Sequence, residues 1–285
     1  NLRKEISVRQ EWLETVLTRE KKWILENQGP EGEIYMNGSK AGDVNPYFAC
    51  MAALGLLAET KNCPMTETEQ KAVGRYLDWH TGVLLETDGK MGIYRKESGK
   101  LIYKEKADSE DGYLGMYLFL MGKYLEKTES TDLPESWKNG ISLALKKIQS
   151  LMQDGITQVS EENTTVYLMD NLEVWKGLYE LELAGLEDTQ AISEIRKKIQ
   201  KQIEKIFWDD ANQRWRIIGN SDRYHQTEFY PDGVAQIYPL IYEFPVKEKK
   251  KQKVLYDQFT ERFQWQKLNK KRTGFLWAIT GMAAA

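Results

Sequence analysis

Two kinds of helical pattern alternate along this chain. In residues 4–27 the apolar positions Trp12, Leu13, Val16, Leu17, Trp23 and Ile24 recur every three or four residues with Lys and Glu between them. That spacing predicts a helix with one buried stripe. Residues 65–85 repeat the pattern with Tyr76, Leu77 and Trp79, and Leu133-Pro-Glu-Ser-Trp opens a third such helix, with Pro134 suited to a first turn. Residues 188–208, carrying Ile192, Ile195, Ile199, Ile203 and Ile206, and residues 246–264 complete the set. Between these lie stretches with almost no polar face, such as Ala49-Cys-Met-Ala-Ala-Leu-Gly-Leu-Leu-Ala and Tyr113-Leu-Gly-Met-Tyr-Leu-Phe-Leu-Met. A helix apolar all round must be covered on all sides. Small residues at Ala49, Ala52, Ala53 and Gly55 would let its neighbours come close. The economical arrangement is an inner ring of apolar helices wrapped by amphipathic ones: an all-α fold, an (α/α)6-type barrel of alternating outer and inner helices.

The inner helices open on one recurring pattern. Asn45-Pro-Tyr-Phe-Ala, Asp111-Gly-Tyr-Leu-Gly, Asp170-Asn-Leu-Glu-Val and Asp232-Gly-Val-Ala-Gln each place a polar or acidic residue at a helix start, at separations of 66, 59 and 62 residues. A weaker fifth copy, Thr273-Gly-Phe-Leu-Trp, follows 41 residues later. Such a period implies an array of equivalent units. Residues 1–285 are therefore expected to form one α/α-barrel domain, lacking its last helix or hairpin if the ring has six units. Equivalent helix starts in such an array lie at one end of the barrel, so the acids there are expected to share a mouth.

Short strand signals precede the inner helices. Met91-Gly-Ile-Tyr-Arg and Leu101-Ile-Tyr-Lys, joined through Glu97-Ser-Gly-Lys, predict a β-hairpin. Asp154-Gly-Ile-Thr-Gln-Val and Arg214-Trp-Arg-Ile-Ile-Gly-Asn have the same character. Short hairpins would thus decorate the rim where binding residues usually collect.

Composition narrows the function classes. A net charge of −3 gives no field that points to nucleic acid, and the basic run Lys247 to Lys253 reads as a solvated helix face. No apolar stretch approaches the roughly 20 residues of a membrane span. Two cysteines, Cys50 and Cys63, are too few for a disulfide scaffold. With only His80 and His225 there is no zinc-ligand spacing, and no nucleophile elbow, phosphate loop or dinucleotide fingerprint occurs. No metal or cofactor is expected. The 9 Trp, 15 Tyr and 8 Phe serve the core first, yet Trp and Tyr in surplus also suit a cleft in which sugar rings stack on flat side chains.

Acids are the candidate chemistry. Glu33 stands in Gly29-Pro-Glu-Gly-Glu-Ile-Tyr, Asp43 in Gly42-Asp-Val-Asn, Asp108 and Asp111 in Asp-Ser-Glu-Asp, Asp170 at the third inner helix, and Glu228 and Asp232 at the fourth. Each alone is a helix cap, since Asp or Asn there accepts backbone hydrogen bonds at the positive dipole end. Capping does not require acids to gather beside Tyr and Trp. Paired carboxylates among aromatics suit glycosidic cleavage, in which one donates a proton to the leaving oxygen and the other activates water or attacks. The catalytic candidates are Glu33, Asp111, Asp170 and Asp232, with Tyr47, Asp108, Tyr113, Trp175 and Tyr230 as sugar-binding candidates.

The alternation of helices with acids at inner-helix starts resembles the six-hairpin glycosidase superfamily. Within it, Ala107-Asp-Ser-Glu-Asp-Gly-Tyr-Leu-Gly-Met-Tyr-Leu is similar to the acidic helix start of glycoside hydrolase family eight. The resemblance implies that Asp111, or else Asp108, holds the sugar at the cleavage subsite. The segment matching that family's general acid is here Gly42-Asp-Val-Asn-Pro-Tyr, so Glu33 or Asp43 would have to substitute.

The expected function is therefore a glycoside hydrolase acting on an oligo- or polysaccharide, monomeric and without a nucleic-acid partner. The alternative is an α/α barrel that binds a glycan or a protein without catalysis, since one fold hosts many functions. The chain begins at Asn1 without an initiator Met. A cleaved signal peptide, with an extracellular or cell-envelope location, is one explanation and a chain boundary is the other.

Overall fold

A computed structural model describes residues 2–38, 42–98, 100–130, 132–186, 189–221, 228–246 and 249–264. The fifth repeat copy at Thr273 and His225 lie outside the described residues. The fold is all-α; of the described residues 62 % are helical and 12 % are in strands or bridges. Its order is α1 (Leu2–Asn27), β1 (Asp43–Val44), α2 (Pro46–Leu57), α3 (Glu67–Glu86), β2 (Gly92–Glu97), β3 (Lys100–Lys106), α4 (Glu110–Thr128), α5 (Glu135–Leu151), β4 (Met152–Gln153), β5 (Ile156–Thr157), α6 (Leu168–Leu183), α7 (Thr189–Phe207), β6 (Trp208–Asp209), β7 (Arg214–Trp215), a wide turn Phe229–Gly233, α8 (Val234–Ile241) and α9 (Lys249–Phe263).

The helices form two layers, as their patterns predict, except that in α1 Trp12, Leu13 and Trp23 are exposed rather than part of a buried stripe. Of α7, only Ile192, Ile195, Ile199, Ile203 and Phe207 are buried, one stripe at helical spacing. In α4 every residue from Asp111 to Leu118 is buried, and in α6 every residue from Asn171 to Leu178. The inner helices α2, α4, α6 and α8 pack in succession, α2 on α4, α4 on α6 and α6 on α8, while α3, α5, α7 and α9 lie outside them. No helix among the described residues is long and apolar enough to cross a membrane.

Among the inner helices the close approach of backbones is not at α2, where a β-carbon on Gly55 would meet only Ile24 at an ordinary 3.7 Å. It is the seam between α4 and α6. A β-carbon at Gly115 would lie 2.6 Å from the Val174 nitrogen, one at Gly122 would lie 2.5 Å from the Glu180 carbonyl carbon, and one at Gly177 would run into the Gly115 carbonyl oxygen. Side chains cannot give way here, because the obstacle is main chain. Three glycines therefore let two apolar helices touch, and that contact sets the spacing of the acids at their starts.

The hairpins sit at the inner-helix starts. β1, β2 and β3 form an antiparallel sheet, with Asp43 opposite Arg95 and Tyr94 opposite Tyr103, and β3 leads directly into α4. The β1 strand joins the predicted hairpin because Asp43 accepts from Arg95 (2.6 Å) and Lys104 (2.7 Å) across it. β4 pairs with β5 and β6 with β7, each a two-residue ladder. The Gln236 amide of α8 anchors the last one, accepting from the Trp215 nitrogen and donating to its oxygen, both at 2.9 Å.

Candidate active site

The starts of all four inner helices contribute to one open pocket. Its walls are Asn45, Tyr47 and Phe48 from α2, Asp108, Ser109 and Tyr113 from α4, Met169, Asp170 and Glu173 from α6, and Tyr230 and Tyr238 from the α8 side. Its cavity is small, about 100 Å³, below the roughly 300–1,000 Å³ of drug-sized ligand sites. Capping shapes its floor. The Asn45 side chain accepts from the Tyr47 nitrogen (2.9 Å), with Pro46 at the first helical position, and the Ser109 hydroxyl accepts from the Gly112 nitrogen (3.2 Å). Asn45 and Ser109 are thus the caps. Asp111 and Asp170 lie in the first turns of their helices, and no side chain caps α6.

The carboxylates meet around Gly112. A β-carbon there would lie 2.8 Å from Glu173 Oε2 and 3.6 Å from Asp170 Oδ1, so these oxygens of α6 gather over the start of α4. Asp170 and Glu173 are three residues apart and share a helix face. Asp170 is half-buried on the pocket wall, Glu173 is 2 % exposed at its depth, and Asp108 is exposed at the rim. Asp111 is completely buried and stands behind the wall. Its carboxylate accepts from Thr157 Oγ1 of β5 (2.7 Å), from Ser109 Oγ (3.0 Å) and from the Gly112 nitrogen (3.0 Å). Asn171 Oδ1 accepts from the Thr157 nitrogen (2.9 Å) and also lies 2.8 Å from the Thr157 hydroxyl, so the single proton of that hydroxyl is divided between Asn171 and Asp111.

Burial dominates the electrostatics. It raises Asp111 to about 6, against hydrogen bonds from Thr157, Ser109 and Gly112 that pull it down. It raises Asp170 well above the ordinary range, with the neighbouring charges of Asp111 and Glu173 adding to the shift. It raises Glu173 to about 8, opposed by the Tyr47 hydroxyl and reinforced by Asp111. Like charges this close cannot all ionise, so the cluster holds protons at neutral pH.

Aromatics complete the wall. The Tyr47 ring lies 5.7 Å from Tyr113 and 5.3 Å from Phe48, and Tyr230 is 50 % exposed at the mouth. The structure thus brings together Tyr47, Asp108, Tyr113, Asp170 and Tyr230, with Asp111 directly behind them. Four other sequence candidates lie elsewhere. Glu33 is buried in the turn after α1, where it accepts from the Tyr35 hydroxyl (2.7 Å) and the Glu31 nitrogen (3.0 Å). Trp175 is core, stacked on Tyr179 at 5.3 Å and set edge-on to Phe244. Asp232 lines a neighbouring cavity with Arg214, Arg216 and Arg262; it accepts from the Glu228 nitrogen (3.2 Å), and its buried Oδ1 has no hydrogen-bond partner among the described residues. Asp43, tied to Arg95 and Lys104, is held down at about 2.

Glu173 was not among the candidates that helix starts supply, because it lies one turn inside α6. Its signal was available: an acid three residues after Asp170, and so on the same face of α6. Asn45, Ser109 and Tyr238 were also missed, the first two because they read as caps and the third because it reads as core.

No family model and no curated protein matches the chain. Solved structures do. A glycosidase variant with a glutamate-to-alanine substitution superposes with TM-score 0.63 at 12 % identity, covering 87 % of this chain and 69 % of that one. A second such glycosidase variant, in complex with glucose, gives 0.61 at 11 % identity with the same coverage. A wild-type glycosidase gives 0.53 at 12 % identity, covering 74 % of this chain and 61 % of that one. The fold is therefore a glycosidase-like α/α barrel.

Proposed function

We propose that the protein hydrolyses glycosidic bonds in an oligo- or polysaccharide, as a barrel of the six-hairpin type. The observation that carries this is the convergence of Asp108, Asp170 and Glu173 on one pocket walled by Tyr47, Phe48, Tyr113, Tyr230 and Tyr238. Asp170, kept protonated by burial and by Asp111 and Glu173, is the general acid: it passes its proton to the glycosidic oxygen as the bond to the anomeric carbon breaks. Asp108 at the rim is the base that takes a proton from the water adding to that carbon. Glu173, the other half of an Asp170–Glu173 dyad, passes its own proton to the emptied Asp170; the dyad then regains one proton from bulk water, and Asp108 releases to bulk water the one it took. Asp111, sealed behind the wall, acts only through its charge. The tyrosine faces bind the sugar ring. Glu33, Trp175 and Asp232 take no part.

The test is turnover on a panel of plant and bacterial glycans, with melting temperature measured alongside. Asp170→Asn and Asp108→Asn should each cut kcat by about 10²- to 10⁴-fold, the usual contribution of a positioned acid or base. Their melting temperatures should stay within a few degrees of wild type. A wild type that binds glycans but cleaves none would overturn hydrolysis in favour of a non-catalytic glycan-binding barrel.

A further inference from the structure

Tyr47 has a second role that its place on the pocket wall does not suggest. Its hydroxyl donates to Glu173 Oε1 at 2.5 Å, reaching from α2 to α6. The Tyr242 hydroxyl, at the end of α8, donates to the same oxygen at 3.3 Å. Tyr238, one turn earlier, places its hydroxyl 3.3 Å from that of Tyr47. A phenol has one proton. With that of Tyr47 given to Glu173, the Tyr47 oxygen can only accept from Tyr238. The three hydroxyls therefore form a polarised set directed at one carboxylate oxygen, supplied by two helices that flank α6.

We propose that Tyr47, supported by Tyr238 and Tyr242, is a positioning residue for Glu173: it pins Oε1 and so presents Oε2 to Asp170 and the pocket. The geometry at Gly112 agrees, since Oε2 is the oxygen gathered with Asp170 Oδ1 over the start of α4. The inference rests on the hydrolytic reading for its catalytic consequence, but the pinning itself does not. The groups facing Glu173 are Asp108, Asp111 and Tyr113 from α4, Asp170 from its own helix, Tyr47 from α2, and Tyr230, Tyr238 and Tyr242 from the α8 side. Of these, Tyr47 and Tyr242 donate hydrogen bonds to the carboxylate, and such bonds favour its ionised form. Asp108 and Asp111 oppose ionisation by their charge.

The consequence is directional. Removing the Tyr47 hydroxyl while keeping its ring should make Glu173 harder to ionise. A hydrogen bond to a charged group corresponds to about one to two pH units. The experiment is an infrared titration of the substrate-free protein, following the carboxyl band that Glu173→Gln abolishes. In Tyr47→Phe the midpoint of that band should rise by about one to two units. Tyr242→Phe, whose bond is longer, should raise it less. The alkaline limb of the kcat/KM profile should move up with the band in both variants. A band that titrates as in wild type in both variants would overturn the proposal. Should Tyr47→Phe fail to fold, Tyr242→Phe alone decides it by the same criterion. A shifted band in a protein that hydrolyses no glycan would sink the hydrolytic reading and leave the pinning of Glu173 standing.

Discussion

Glu173→Gln should make the protein more stable at alkaline pH, although it removes part of the proposed proton machinery. Burial raises this carboxyl from an ordinary 4.5 to about 8. Between those values the unfolded chain has released the proton while the folded one retains it. Folding then takes up a proton, so stability falls as pH rises. The slope is about 1.4 kcal/mol per pH unit per proton, and across the window the loss amounts to a few kcal/mol. Below pH 4.5 the penalty is absent, and above pH 8 it is complete. Gln keeps the shape and can still accept from Tyr47 and Tyr242 through Oε1, but it has no proton to lose. Asp111 and Asp170, also raised, keep their own part of the slope with the same sign. Denaturant unfolding at pH 4 to 9 provides the assay. The two proteins should have similar stability at pH 4, and the curve of Glu173→Gln should fall less steeply, leaving it a few kcal/mol more stable by pH 8.5. Parallel curves would show that Glu173 ionises normally in the fold and would refute the dyad.

Gly177→Ala should be destabilising despite the higher helix propensity of Ala, worth about 1 kcal/mol. Its β-carbon meets the Gly115 carbonyl oxygen, and overpacking of this kind costs about 1–3 kcal/mol; thermal unfolding several degrees lower, with reduced turnover from the displaced dyad, is the expected result, and an unchanged melting temperature would contradict the seam. Asp111→Asn should leave the fold intact, because Asn can still accept from Ser109 and Gly112, while removing a charge that raises Asp170 and Glu173. The alkaline limb of its pH–rate profile should therefore move to lower pH, and a profile identical to wild type would exclude Asp111 from any influence on the dyad. Both cysteines are free, but Cys50 is fully buried and its thiol is pushed up to about 12. A maleimide probe should label Cys63 alone in the native protein and both thiols after denaturation, as read by mass spectrometry.

Much of the architecture was legible in the sequence by itself. The stripe of isoleucines in α7 and the apolar sequence of α4 are local patterns, and local patterns decide which face of a helix must be covered. The repeated starts likewise indicated that Asn45, Asp111, Asp170 and Asp232 belong at one mouth; the structure puts Asn45 and Asp170 on the pocket wall and buries Asp111 behind it, but turns Asp232 into the adjoining cavity. Which side chains meet there was decided only by tertiary structure. A helix turns about 100° per residue. Glu173 therefore follows Asp170 onto the pocket face, while Trp175, two residues later, points about 200° away into the core. Sequence distance from an acidic start does not reveal that rotation until the partners of the helix are known. The seam of Gly115, Gly122 and Gly177 fixed it, by letting α4 and α6 touch in one orientation that stacks Glu173 and Asp170 over Gly112. Asp232 shows the same limit: its place in the repeat matches that of Asp170, yet the wide turn before α8 aims it into the adjoining cavity. Periodicity specifies that a face is buried, and only the packed neighbours specify what that face meets.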